Sequence, residues 1–367
     1  MINKIYFLKN LDKLIGGIAS TLVTKLIPSH KFNNKSINRI LVIRPGGIGD
    51  AALLYPSLKI LKNRFKKIQI DILAEKRNAG IFESCNYIDN IYLYDDIKNL
   101  GLYNVLKNNY DAVIDTEQWH RLSAVVGYLT RARVRVGFAA NERECLFTNP
   151  VEYNQEEYEA ISFLNLITEI TGKKHKFNIN EAFLDFDKVI EINDYLKFRN
   201  KYTTVIGMFC GATVNERKWG TKNYSLVASK LLDNNVGLVL MGGKNDLKDS
   251  IYFERLLGNR DYLNLIGKTT LDETKNIISD LDLFISADSG LMHIAYGVGT
   301  KTLSLFGAGI QNKWAPQGTK NIIINRNLSC SPCTKFGYTP KCPYNVKCLS
   351  DITAEEVIDK VMDMLPD

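Results

Sequence analysis

Residues 285–297, ISADSGLMHIAYG, set an aspartate, a serine, a glycine and, one turn further on, a histidine where an apolar strand ends and a helix begins. Such a junction leaves backbone N–H groups unpaired and aims the positive end of a helix dipole at one point, which is the chemistry of an anion site. Gly290 lets a phosphate approach the backbone, Ser289 can cap the helix, and Asp288 can bind a ribose or sugar hydroxyl, with Met292 and His293 just inside the helix. The plainer reading is a capping serine and a packed histidine. A second junction has the same form: ILVIR (40–44) runs through Pro45-Gly46-Gly47-Ile48-Gly49-Asp50 into AALLYPSLKILKNRF, whose apolar residues recur at helical spacing. Here the turn, with Gly47 and Gly49, carries a carboxylate, Asp50, at its mouth.

Two further strand-end loops carry charge. TTVIGMF leads into Cys210-Gly211-Ala212-Thr213 and on to Arg217-Lys218-Trp219, while GLVLMGG leads into Lys244-Asn245-Asp246. Arg217 through its planar fork and Lys218 as a point charge can neutralise a diphosphate. The alternative for both is a surface ion pair.

The elements that must position these residues alternate. Strands are predicted at 40–44, 68–74, 88–95 and 111–116, with helices at 51–65, after 77 and at 100–107. The second half repeats the logic, with strands at 203–209, 237–243, 262–267, 281–287 and 301–307 and helices at 224–234, 247–257, 271–279 and 289–298. The pattern predicts an α/β protein of two Rossmann-like, doubly wound parallel domains facing across a cleft, with ligands beyond the carboxyl ends of the strands. A length of 367 residues with 45% hydrophobic content suits two cores. The expected divisions are a basic amphipathic segment (1–38), a first domain (39–185) and a second (186–367) that includes a cysteine-rich loop at 330–348. The helix ending near 172 and the polar stretch 173–187 form the predicted hinge.

A net charge of +7, spread along the chain, does not indicate a nucleic-acid groove. The first segment sets Ile5, Leu8, Leu11, Leu14, Ile15, Ile18, Leu22 and Leu26 on one helical face beside Lys4, Lys9, Lys13 and Lys25. It reads either as a helix packed on the protein or as one lying on the inner face of an anionic inner membrane, and charges interrupt it before it could span. Seven cysteines and no secretion signal suggest reduced thiols on the cytoplasmic side. Four of them, Cys330, Cys333, Cys342 and Cys348, read as a structural zinc site or as a thiol-rich loop. Arg131, Arg133, Arg135 and Arg143 read as an anionic-lipid patch or a solvated edge.

Taken in order, these motifs resemble glycosyltransferase family 9, the heptosyltransferases, from about residue 40 to residue 358. The marks are GGIGDAALLYPSLKIL, AVIDTEQWHRLSA, FCGAT followed by RKW, LMGG, ADSGLMHIA, and CSPC with its later cysteines and DITAEEV. The resemblance implies a GT-B fold with the nucleotide sugar held mainly by the second domain. It implies transfer of a heptose or related sugar from an ADP-sugar to a lipopolysaccharide core or other surface-glycan acceptor. Asp50 falls on the family's general base, and Asp288, Ser289, Gly290 and His293 on its nucleotide-sugar segment. Ala212 and Thr213 fall on the turn that meets the donor, and Arg217 stands where lysine is usual, with Lys218 alongside. Asp246 is the nearest match to a nucleoside-binding acid, one position out of register. Arg121 aligns with a basic residue that faces an anionic acceptor.

The chemistry agrees: sugar transfer needs a base for the acceptor hydroxyl and positive charge for the departing diphosphate. Asp50 suits the first task, and Arg217, Lys218 and the helix start at Ser289-Gly290 the second. No Asp-x-Asp sits in a suitable loop, so neither a metal nor another cofactor is expected in the reaction, which is read as a single inverting displacement. Two other readings compete. Gly47-x-Gly49-x-x-Ala52, with Asp71 about twenty residues on, loosely fits an NAD-dependent enzyme, although Pro56 and the carboxylate of Asp50 at the pyrophosphate approach disfavour it. A non-catalytic nucleotide-sugar-binding protein of envelope assembly is the other.

Overall fold

The structure is a computed structural model that describes Asp12, Gly16, Gly17, residues 36–96 and residues 98–365. The predicted amphipathic segment therefore lies outside the described residues, apart from those three positions and its last three residues. The chain forms two compact units, one ending at Phe177 and the other beginning at Asn178. This division falls a little before the expected boundary because the intervening residues attach to the second unit. The backbone N–H groups of Phe183 and Leu184 donate to the Gly297 carbonyl at 2.8 and 2.9 Å. The Tyr296 hydroxyl donates to the Ile179 carbonyl at 2.9 Å.

The first unit is a six-stranded parallel sheet in the order β3-β2-β1-β4-β5-β6, comprising β1 (Arg39–Arg44), β2 (Gln69–Ala74), β3 (Asn90–Leu93), β4 (Ala112–Asp115), β5 (Val134–Phe138) and β6 (Asn149–Val151). Helices cover both faces of a parallel sheet, so its inner strands read as unbroken apolar runs; Ile40 to Ile43 of β1 are all buried. The helix predicted at 51–65 is two helices, Ile48–Leu53 and Tyr55–Arg64. Pro56 lies in the first turn of the second, where its missing N–H costs nothing, whereas inside one continuous helix it would remove a bond.

Strands β5 and β6 were not anticipated, because their segment reads as arginine-rich and polar. Those arginines form neither a lipid patch nor a solvated edge. Arg135 lies on β5, buried, donating to the carbonyls of Leu146 at 2.8 Å and Ala132 at 2.7 Å, with its guanidinium 4.7 Å from the Tyr128 ring centre. Arg143 is fully buried and paired with Asp115. Arg133 pairs with Asp111 at 3.3 Å, which leaves Arg131 as the exposed member of the four.

The second unit repeats the plan with β7 (Val205–Phe209), β8 (Gly237–Leu240), β9 (Leu263–Asn264), β10 (Leu283–Ala287), β11 (Lys301–Phe306) and β12 (Asn321–Asn325), in the order β12-β11-β10-β7-β8-β9. In both sheets the first strand in sequence is central, the next two lie to one side and the last three to the other. Each unit thus has one place where the strand order turns back, between β1 and β4 and between β7 and β10, and loops leaving the carboxyl ends there form a crevice. The helix Ala354–Met364, capped by the Thr353 side chain, closes the core by packing Val357 and Val361 with Tyr224, Val227 and Leu231. Among the described residues no helix is long and apolar enough to cross a membrane.

Candidate active site

In the first unit the turn after β1 bends at Gly46, whose φ of +103° suits glycine and strains other residues. Gly47 precedes the helix Ile48–Leu53, Gly49 is buried within it, and Asp50 stands in its first turn. The Asp50 side chain is 22% exposed, with Oδ2 3.9 Å from the guanidinium of Arg44. Arg44, the last residue of β1, is buried and spans the crevice. Its Nε donates to the Pro45 carbonyl at 2.7 Å, Nη1 to the Thr116 carbonyl at 2.8 Å, and Nη2 meets Glu117 Oε2 at 3.4 Å.

Glu117, from the loop after β4, accepts the backbone N–H groups of Gln118, Trp119 and His120 at 3.1, 3.2 and 3.4 Å, just ahead of the helix Arg121–Leu129. A third carboxylate, Glu159, is fully buried and accepts from the Tyr153 hydroxyl at 3.0 Å and Gln118 Nε2 at 2.6 Å. Burial first, then Glu159 and Asp50, pushes the Tyr153 hydroxyl well above its ordinary value, so it stays protonated as a donor. Of the three carboxylates, Asp50 is the one open to solvent.

Burial alone would raise the Glu117 carboxyl, yet His120, Arg44 and Arg143 outweigh it and hold the group below its ordinary value. A carboxylate with a depressed folded-state pKa stabilises the fold above its unfolded value of ~4.3, and that contribution disappears as pH falls through the folded value. Glu117→Gln should therefore destabilise by about 1–3 kcal/mol near neutral pH. Thermal melts in increasingly acid buffers should show the deficit shrinking below the unfolded pKa; a deficit that stayed constant would disprove the ionised role.

Arg121, expected to face an acceptor, is engaged within the chain. Its Nε and Nη2 donate to Glu142 Oε2 at 2.9 and 2.6 Å. The backbone N–H groups of Arg121 and Leu122 donate to Asp12 Oδ1 at 2.7 and 2.8 Å, so the start of that helix is capped by a residue more than a hundred positions earlier.

In the second unit the loops after β7 and β10 meet at the strand-order reversal. Arg217 Nη1 lies 3.0 Å from Asp288 Oδ2, with the Asp288 side chain 6% exposed. A Cβ on Gly309 would fall 2.1 Å from that same oxygen, so glycine is required for the carboxylate to lie there. Ser289 Oγ accepts the Met292 N–H at 3.3 Å and caps the helix Gly290–Val298, as its spacing predicts. Met292 and His293 are both buried. The loop bearing Arg217 is tethered by Trp219, whose Nε1 donates to the Ile352 carbonyl at 2.9 Å and whose ring meets Tyr224 edge-on at 4.8 Å. Ala212 is half-buried and Thr213 exposed on the same loop.

Lys218 does not join Arg217 at Asp288; its Nζ pairs with Asp249 at 2.9 Å. Asp246 is also occupied locally. Its Oδ2 accepts the Gly243 N–H at 2.9 Å, and a Cβ on Gly211 would stand 2.2 Å from Oδ1. It locks the turn after β8 against the turn after β7, and burial raises its pKa.

The charged residues around Asp50 that sequence reasoning missed are Arg44, Glu117 and Glu159. The one available signal was a charged residue closing the apolar strand ILVIR. Asp71, the acid a dinucleotide would need at its ribose, is fully buried. It accepts from Arg39 at 2.6 Å, Asn90 at 2.8 Å and Tyr110 at 3.0 Å, which removes the main support for the NAD reading.

Comparison with known proteins identifies the family and the fold. Residues 101–342 match the model of glycosyltransferase family 9 (heptosyltransferase). Lipopolysaccharide heptosyltransferase 3 of Escherichia coli K12 is 27% identical over 347 residues, which cover 87% of this chain and 96% of that protein. Among solved structures, a family 9 glycosyl transferase from Veillonella parvula superposes with a TM-score of 0.74 at 20% identity, covering 90% of this chain and 99% of that one. The E. coli ADP-heptose lps heptosyltransferase II does so with a TM-score of 0.68 at 19% identity, covering 89% and 98%. The two doubly wound units are those of a GT-B fold.

Proposed function

This chain belongs to glycosyltransferase family 9, and on that premise we propose that it moves a heptose from an ADP-sugar to a lipopolysaccharide core acceptor, by one inverting displacement without a divalent metal at the diphosphate. The observation that carries the reading is the Arg217–Asp288 pair at the Ser289-capped start of the helix Gly290–Val298. A cation beside unpaired helix N–H groups is suited to the two charges that gather on a departing nucleoside diphosphate. The E. coli relatives, named for heptose transfer and, in one case, for ADP-heptose, support the donor.

Each residue then has a task. Asp50 accepts the proton of the attacking acceptor hydroxyl, with the Arg44 guanidinium facing it at 3.9 Å. Arg217 leaves Asp288 for the diphosphate, which frees the aspartate to accept a hydroxyl of the donor. Lys218, held by Asp249, steadies the loop and adds charge at longer range. Arg121 meets an anionic acceptor by exchanging the exposed carboxylate of Glu142 for it. A lipid-linked acceptor would place the reaction at the cytoplasmic face of a membrane.

The test is turnover of ADP-, UDP- and GDP-sugars with a truncated lipopolysaccharide acceptor, with no added Mg²⁺ or Mn²⁺. Transfer of heptose from the ADP-sugar alone, with the product anomer inverted by NMR, is the expected result. Transfer only from another nucleotide sugar, retention of configuration, or an absolute need for Mg²⁺ would each defeat the corresponding part.

A further inference from the structure

The second unit contains a stretch that its own packing does not explain. Residues 327–346 run without helix or strand, apart from one isolated bridge between Lys335 and Tyr338, and Thr334 is the one buried residue among them. A loop of this length without secondary structure is uncommon in a compact domain.

The four cysteines of this region converge. Cys330, Cys333, Cys342 and Cys348 all line one cavity of about 190 Å³, together with Lys341 and Lys347 and with no carboxylate in the lining. The backbone N–H groups of Tyr344 and Val346 both donate to Cys342 Sγ, each at 3.4 Å. Two backbone donors thus fix the position of this sulfur, and two lysines stand in the same wall. The first pair is anchored as well, since the N–H groups of Cys333 and Thr334 donate to the Ala308 carbonyl at 3.1 and 2.9 Å. Cys348 is buried against Gly307.

We propose that Cys330, Cys333, Cys342 and Cys348 are the four ligands of a structural zinc ion that staples the 327–346 loop to the end of β11. Four soft sulfur ligands, in the order C-x2-C-x8-C-x5-C, match the closed tetrahedral preference of that ion. Among the described residues no group of three or more ligands is already set to hold a metal, so binding draws the sulfurs inward across the cavity, a movement the unstructured loop permits. Zinc binds cysteine as thiolate, so loading releases protons. The staple also braces Ala308 and therefore Gly309, which packs on the Asp288 carboxylate.

The experiment is metal analysis of the full-length protein, purified under reducing conditions from zinc-supplemented cells. About one zinc per chain is expected, with the four thiols shielded from a thiol reagent until a chelator is added. Cobalt substitution should give sulfur-to-cobalt charge-transfer absorption and tetrahedral ligand-field bands. Cys333→Ser and Cys342→Ser should lose the metal, while Cys145→Ser, at an exposed thiol outside the loop, should retain it. Because serine variants can misfold, the unmodified protein decides. Zinc-free protein with freely reactive loop thiols, or stoichiometric iron in place of zinc, overturns the assignment.

Discussion

Asp50→Ala should lower kcat by roughly a hundred- to ten-thousand-fold, the usual worth of a positioned general base, while the dissociation constant for ADP stays within about twofold of the unmodified enzyme. Two facts motivate so lopsided an effect. Asp50 is the accessible carboxylate of its cluster, whereas Glu117 is tied to three backbone N–H groups and Glu159 is buried. Its position also does not depend on a partner that would collapse, since the turn is held by Arg44 through main-chain carbonyls. Asp50→Asn, which preserves shape and removes basicity, should be nearly as impaired. Steady-state kinetics with calorimetric ADP titration separate the two quantities. An Asp50→Ala enzyme retaining most of its kcat would move the base elsewhere.

Arg217→Ala carries the second large effect, and it acts twice. The diphosphate loses its counter-charge, for which a fall in kcat/KM of about a hundred- to a thousandfold is expected. The nearly buried Asp288 also loses its partner, which destabilises the unit by about 3 kcal/mol or more. A double variant separates the two: Arg217→Ala with Asp288→Asn should recover much of the melting temperature and none of the turnover. Arg217→Lys, which keeps charge and loses the fork, should fall between. If Arg217→Ala left donor KM and kcat unchanged, the pair would be structural only.

Much of this was legible in the sequence. The apolar runs and helical spacings placed the central strands of both sheets and the helix 247–257, because parallel strands buried on both faces and amphipathic helices leave clear periodicities. The Ser289 cap and the turns holding Asp50 and Asp288 followed from local chemistry. Partners distant in sequence did not. That Arg143 would turn inward to Asp115, that Lys218 would choose Asp249 over Asp288, and that Asp246 would be spent on its own turn are decided by which loops the strand order brings together. β5, β6 and β12 were not anticipated: β5 (VRVGF) sets Arg135, whose partners are buried, among its apolar residues, β6 is three residues long (NPV), and β12 (NIIIN) is a short edge strand.

The matching strand order of the two sheets has an evolutionary corollary. Each unit has its own charged crevice on its own core, so changes in the loops after β1 and β4 need not disturb those after β7 and β10. On the proposed roles, lineages can diversify what receives the sugar while inheriting unaltered the apparatus that grips the nucleotide. Grafting the 116–121 and 139–148 segments between relatives should then transplant acceptor preference as a module.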